Sequence, residues 1–398
     1  MLKKIIFDQV KPAYGCTEPI AVALAVATAK KYLKGKLKKI KILLDKNTYK
    51  NGLEVNIPGT PFIGLEIAAA LAYTCGEAEL GLEVLKNVEQ KCIDNSHKIL
   101  SKIKIDVNKD YKGLKVNCII EGENIVQVRI EGKHDNIVHI EENGTPILDK
   151  PFEQSGALLE KIKGFNFDKL IEYVEIADNE VINLIEKAID MNTAIAEKGL
   201  KTQNNFGHVL DYEPVNIVQA AVDARMSGEL MPVMTVAGSG NQGLSCTLPI
   251  IKIGEKYDDE KMKKALLLSM LITIYIKSYT GVLTPICGAG SVASAGVAGG
   301  IVYLKDGTKT QIKNAVNNVL STLFGLTCDG AKRGCALKAG TGTFVALQSA
   351  KLALENMNIP CGNGIAAGNV EETIKRIGKL TLSIKNFDED VLEFIGKC

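Results

Sequence analysis

The sequence predicts an α+β protein, with a mainly helical domain built around glycine-rich loops and a small antiparallel-sheet α/β domain inserted into it. Three observations carry this. From Gly199 onward the chain is rich in Ala, Gly and Ser and runs in long apolar stretches with helical spacing. Between 101 and 141 the pattern changes to short alternating segments, at 104–107, 114–120, 125–130 and 136–141, separated by Gly-Glu-Asn and Glu-Asn-Gly turns. Two helical patterns, 167–176 and 178–198, then close the insertion and return the chain to the main domain. The expected division is therefore 1–98 with 200–398 for the helical domain and 99–199 for the insertion.

A chain of 398 residues is long enough for a substantial core and roughly two or three domains. The formal net charge of +2 gives no electrostatic footing for nucleic acid or an anionic membrane surface. Ten cysteines without a framework spacing, and an N-terminus that meets Asp8 before any apolar signal core develops, read as reduced thiols in a cytoplasmic protein. The run 278–304 carries no charge and is long enough to span a bilayer, but Pro285 and six glycines interrupt it. It follows an amphipathic helix at 261–276 with lysines on one side, and the expected structure is a buried helical hairpin.

At the N-terminus, 2–11 is short and amphipathic and leads into Ala-Tyr-Gly-Cys-Thr-Glu-Pro. Thr17 suits a helix N-cap, Glu18 the positive end of the dipole and Pro19 the first turn. Cys16 thus precedes a helix start, where the dipole is expected to lower its thiol pKa and suit it as a nucleophile, a ligand or a proton-transfer group. The alternative is a small residue in a tight turn. Residues 38–45 alternate like a strand, and Cys75 and Cys92 fall on helical patterns where both read as packed apolar side chains. Cys118, His134 and His139 lie in the insertion and read as structural or solvent-facing, since no second cysteine is near enough for a zinc site. His208, beside paired amides and a glycine, reads as a structural histidine or a substrate contact.

Two further features carry chemistry. Gly238, Gly240 and Gly243, with Ser239 and Asn241 between them, form a loop before a helix whose N–H groups can converge on a phosphate or carboxylate. No Lys-Ser or Lys-Thr follows, so this is not a Walker loop. The stretch 278–333 then presents Cys287 in Pro-Ile-Cys-Gly-Ala-Gly-Ser, and Cys328 and Cys335 bracket Asp-Gly-Ala-Lys-Arg-Gly. Thiolates on glycine-rich turns can bend toward one bulky centre. Three sulfur ligands would leave one iron of a four-iron cluster open to act as a Lewis acid. Cys361, in Pro-Cys-Gly-Asn-Gly, and the terminal Cys398 are candidates to pack near such a centre, Cys398 as a cap.

Tyr14-Gly-Cys-Thr-Glu-Pro, Ala237-Gly-Ser-Gly-Asn-Gln-Gly, Pro285-Ile-Cys-Gly-Ala-Gly and Cys328-Asp-Gly-Ala-Lys-Arg-Gly-Cys together resemble the L-cysteine desulfidase family. That family is related to the catalytic subunit of iron–sulfur L-serine dehydratases, and the resemblance spans essentially the whole chain. It implies a lyase that needs no pyridoxal phosphate and converts L-cysteine to hydrogen sulfide, ammonia and pyruvate with an oxygen-sensitive [4Fe-4S] cluster. Carried over by motif, Cys287, Cys328 and Cys335 would hold the cluster and Cys16 would accept a proton. The inserted sheet resembles an accessory domain that serine dehydratases carry elsewhere in their chain.

The residues are consistent with that chemistry. β-Elimination needs a base at Cα and stabilisation of the leaving group. Gly238, Ser239, Gly240 and Asn241 can receive the substrate carboxylate, and Cys16 can take the Cα proton, with Tyr14 the alternative two residues away. L-Serine dehydratase on the same scaffold is the nearest alternative, and a non-catalytic iron–sulfur redox sensor a more distant one. A pyridoxal enzyme using Lys338 finds no supporting motif. The small-residue helices offer more packing surface than one domain needs, which predicts a homodimer acting on a free amino acid.

Overall fold

The computed structural model describes residues 1–111, 113–150, 157–210, 212–384 and 386–395. Cys398, the expected cap, lies outside them. The architecture is α+β, as the alternating segments and helical runs predict.

A six-stranded sheet takes the strands β2 (Lys39–Leu44), β3 (Ile103–Val107), β4 (Lys115–Glu121), β5 (Ile125–Glu131), β6 (Ile137–Glu142) and β7 (Thr145–Asp149) in the order β3-β2-β4-β5-β6-β7. A separate antiparallel ribbon pairs β1 (Val10–Tyr14) with β8 (Pro232–Val236). The larger sheet is not wholly antiparallel, because β3 runs parallel to β2, with Ile40 opposite Ile103. A parallel neighbour requires a crossover, and the helices Lys46–Gly52, Leu65–Cys75 and Gln90–His97 supply it. Ile40, Ile42 and Leu44 of β2 and Val116, Cys118 and Ile120 of β4 are buried against the alanine-rich face of Thr17–Tyr32.

This core draws on residues from Ile20 onward, well before residue 99. The helices Phe167–Tyr173 and Asn179–Lys201 bury their apolar faces in the other, helical core. The two cores therefore meet elsewhere than at 99 and 199. Helix Thr17–Tyr32 lies along the seam: Cys16 at its start packs into the helical core, and Ile20 one turn later into the sheet core.

At the centre of the helical core is Asp259–Thr280. Three of its lysines, Lys261, Lys263 and Lys264, lie near its start, and every residue from Ala265 to Ser278 is buried, including the fourth, Lys277. The helix is enclosed rather than amphipathic along its length, the pattern of a helix surrounded by others. It packs on Ala293–Leu304, forming the expected hairpin. Gly296 and Gly300 permit the close approach: a Cβ at these positions would lie 2.4 Å from the Ser269 carbonyl oxygen and 2.8 Å from that of Ala265. Among the described residues no helix is long and apolar enough to cross a membrane.

Cys75 and Cys92 are not separate packed thiols. The ends of their two helices bring their Cα atoms to 5.9 Å and the sulfurs are joined in a disulfide.

Candidate active site

The two cysteine-bearing loops are fastened together by their own backbones. Cys287 N–H donates to the Leu326 carbonyl at 2.8 Å and Cys328 N–H to that of Pro285 at 2.7 Å. Ile286 and Thr327 form the β-bridge between them. Cys335 opens the helix Cys335–Leu354. Burial, with Cys328 and Cys335 as neighbours, pushes the Cys287 thiol up to about 12, and burial together with Cys328 pushes Cys335 up to about 11. The three sulfurs thus feel one another.

Two cations face this group. Lys277 is pushed down to about 8 by burial, against the pull of Cys328 and Cys287. For Lys338, burial is outweighed by Asp329, Cys287 and Cys328, which hold it above its usual value, and its Nζ donates to the Thr327 carbonyl at 2.8 Å.

Among the described residues no three His, Cys, Asp or Glu side chains stand close enough to hold a single metal ion. A four-iron cluster makes a different demand, since each thiolate binds its own iron at a separate corner. Three thiols on two joined loops meet that demand in donor type and number. Cys287 Sγ already accepts the Gly290 N–H at 3.3 Å, the kind of contact that stabilises a ligating thiolate.

The second half of the site is built on the first turn of Thr17–Tyr32. Gly15, in the left-handed region at φ 65°, turns the chain so that Tyr14 and Cys16 diverge. The Tyr14 ring lies under the Lys86 ammonium at 5.5 Å, whereas Cys16 is buried and donates to Glu18 Oε2 at 3.0 Å. The low thiol pKa expected from the helix dipole is overturned. Burial, reinforced by the Glu18 carboxylate, pushes Cys16 well above its ordinary value, and Arg225 only partly opposes this.

Burial alone would raise Glu18 too, but the charge of His134 and the hydrogen bonds from Cys16 and Asn51 hold it below its usual value. Asn51 Nδ2 donates to Glu18 Oε1 at 2.8 Å, and His134 Nε2 lies 3.9 Å from that same oxygen. Burial holds His134 below its usual value, with the Glu18 carboxylate pulling the other way.

The glycine loop closes the third side. Ser239 caps Gly240–Gly254 by accepting the Gln242 N–H, and Thr17 Oγ1 donates to the Gly238 carbonyl at 3.1 Å. Ala237 is held in the left-handed region at φ 47°, with its N–H on the Gln9 carbonyl at 2.9 Å. Arg225 is buried and donates to Asn241 Oδ1 at 2.8 Å and to the Gly15 carbonyl. Glycine at 240 leaves room for this guanidinium, since a Cβ there would lie 2.5 Å from Arg225 Nε and displace it. That Nε has no partner, and both acceptors of this guanidinium are neutral.

Side chains tie the two halves together. Lys50 Nζ donates to the Cys328 carbonyl at 3.0 Å while the adjacent Asn51 holds Glu18. Arg333, between Cys328 and Cys335, pairs with Asp223 at 2.7 Å, two residues before Arg225 on the same helix. Direct bonds thus join the Tyr14 motif to the glycine loop and the two cysteine-bearing loops to each other, with Lys50 and Arg333 as the ties between these pairs.

Comparison with known proteins identifies the scaffold. The profile of the serine dehydratase alpha chain matches residues 79–393. The chain belongs to the serine dehydratase alpha chain family. Relatives matched along their whole length include a UPF0597 protein of Thermosipho africanus, 60% identical with 100% of both chains covered, and one of Thermosipho melanesiensis, 61% identical with the same coverage. A third, from Clostridium tetani, is 40% identical over 100% of this chain and 99% of its own. A serine dehydratase alpha chain is lyase-like and associated with iron–sulfur enzymes, which agrees with a sulfur-only donor set.

Other sequence candidates lie apart from these contacts. Cys361 is exposed, His208 is exposed and bonded to the Thr202 carbonyl, and His139 sits between Asp149 and Glu141. Cys118 is buried in the sheet core. His134 is the residue the sequence reading missed. It reads as structural there because no second cysteine lies near it in sequence, yet the turn between β5 and β6 delivers it to Glu18.

Proposed function

We propose that this chain is a [4Fe-4S]-dependent, pyridoxal-independent L-cysteine desulfidase that releases hydrogen sulfide, ammonia and pyruvate. It is supported most by three thiols, Cys287, Cys328 and Cys335, carried on loops whose backbones are bonded to each other, and by a separate buried thiol, Cys16, hydrogen-bonded to a carboxylate. The three are taken as cluster ligands and the fourth as the proton acceptor. A cluster bound there supplies a Lewis-acidic iron with a free coordination position.

The remaining steps belong to the protein. The carboxylate of the amino acid is received by Asn241 and by the N–H groups of Gly238, Gly240 and Asn241, the last two opening a helix and lacking intrahelical acceptors, while Ser239, whose own N–H is on the Val236 carbonyl, caps that helix. Arg225, buried beside Asn241 without a carboxylate partner, adds the cation that such an anion needs. Holding the carboxylate presents Cα to Cys16 Sγ as a thiolate, which removes the proton. Loss of the β-substituent leaves aminoacrylate, which hydrolyses to pyruvate and ammonia in water. Tyr14, turned toward Lys86, is the weaker candidate for the base.

The family description favours a second reading, L-serine dehydratase, in which hydroxide leaves in place of sulfide. In either reading the enzyme is cytoplasmic and acts on a free amino acid. The exposed Tyr212 and Phe344 rings, packed edge to face, offer an apolar surface for a homodimer.

The test is anaerobic turnover of L-cysteine and L-serine by reconstituted protein without pyridoxal phosphate. Sulfide with pyruvate from cysteine, lost in air, supports the desulfidase. Pyruvate from serine alone moves the assignment to dehydratase, and inactivity with both leaves a cluster protein that senses rather than catalyses.

A further inference from the structure

Resting on the lyase reading, we infer that Glu18 and His134 form the proton outlet of Cys16, so that the sheet domain supplies part of the catalytic machinery. Cys16 is a buried thiol, and a base must first lose its own proton. Among the described residues it donates to one acceptor, Glu18 Oε2, at 3.0 Å. On the other side of that carboxylate stands His134 Nε2, 3.9 Å from Oε1, and this atom is fully buried with no hydrogen-bond partner.

An unpartnered ring nitrogen in such a place is costly unless something passes to it. The imidazole also lines a cavity, together with Thr17, Lys133, Asp135 and Gly238. A Cβ at Gly238 would lie 3.7 Å from Nδ1, so the ring's far edge faces a cavity wall. Ion pairs of Lys133 with Asp8 and Lys11 with Asp135 rim the opening, a polar path on which water can stand. The charged groups acting on His134 are Glu18, Asp135, Asp45 and Arg225.

The transfer balances without any redox change. The Cys16 Sγ–H proton moves to Glu18, and rotation of the carboxyl group with closure of the gap by about 1 Å brings it to His134 Nε2. This leaves a thiolate, a carboxylate and an imidazolium. The thiolate then takes the Cα proton and becomes a thiol again. The imidazolium releases one proton from Nδ1 to cavity water, and tautomer exchange through that water, which returns the remaining Nε2 proton to Nδ1, restores the resting state. One proton leaves per turnover, equal to the one taken from substrate.

The experiment uses the reconstituted holoenzyme. His134→Ala should lower kcat about 10²-fold with the cluster absorbance unchanged, and added imidazole should restore turnover through the cavity the ring vacated. Imidazole should not restore Glu18→Gln, which keeps the shape of the side chain but cannot carry the proton. An active wild type whose His134→Ala variant is equally active, or is slowed but indifferent to imidazole, overturns the relay and leaves the lyase reading standing. A wild type silent toward both amino acids overturns both. If His134→Ala does not fold, the nearly isosteric Glu18→Gln decides: a loss of about 10²-fold supports the relay and wild-type turnover sinks it.

Discussion

Lys50, with none of its side chain exposed, is paired with the buried carboxylate of Asp388 and at the same time holds the Cys328 carbonyl. The C-terminal helix Phe387–Leu392 is thereby clamped to a cysteine-bearing loop. Removing one member of a buried ion pair leaves the other uncompensated, at a cost of about 3–5 kcal/mol. Lys50→Met should show that loss in denaturant unfolding, and Lys50→Met with Asp388→Leu should recover much of it. Equal stability of the single and double variants would argue against the clamp.

Replacing Cys287, Cys328 or Cys335 by Ala should remove the brown absorbance and the activity together. Iron and sulfide analysis of each purified variant checks this. A variant with full iron content leaves the ligand set.

Arg225→Gln should raise KM for L-cysteine by about 10²-fold with the absorbance unchanged, because a charge-assisted bond to a carboxylate is worth about 1.5–3 kcal/mol. The comparison that isolates the effect is L-cysteine against its methyl ester. Wild type should prefer the free acid, and the variant should lose that preference.

The Glu18 carboxyl is held below its usual 4.5 despite burial. Its contribution to stability is therefore present above about pH 4.5, its unfolded value, and is lost as pH falls through the lower folded value. Urea midpoints of wild type and Glu18→Gln should differ at pH 7 and converge on acidification below pH 4. A gap that stays constant across this range would show that Glu18 does not titrate in that window.

The Cys75–Cys92 bridge spans a separation of 17 residues, for which loop closure gives about 3 kcal/mol. Cys92→Ser should lower the melting temperature, and dithiothreitol should move wild type toward the variant while leaving the variant unchanged.

What the chain reveals locally, it reveals well. The period-two segments between 104 and 141 become β3 to β6, and the interrupted run 278–304 becomes a hairpin, because both depend on neighbours in sequence. The placement of β3 beside β2 depends on a crossover of three helices, and the disulfide on where two of those helices end. Neither leaves a trace in spacing. The site divides in the same way. The cysteine turns and the start of Thr17–Tyr32 are visible as motifs, but the state of Cys16 is decided by burial, by Arg225 and by the Glu18–His134 contact. His134 sits in the turn between β5 and β6, far along the chain from Cys16, so a reading of local pattern assigns it nothing.

The backbone bonds from Cys287 to Leu326 and from Cys328 to Pro285 flank the Ile286–Thr327 bridge. Main chain, rather than side-chain rotamers alone, thus sets the separation of these two thiols. A substitution that moves the backbone at Pro285 or Leu326 would be transmitted to both cysteines at once, so two residues without any polar side-chain chemistry share control of the spacing.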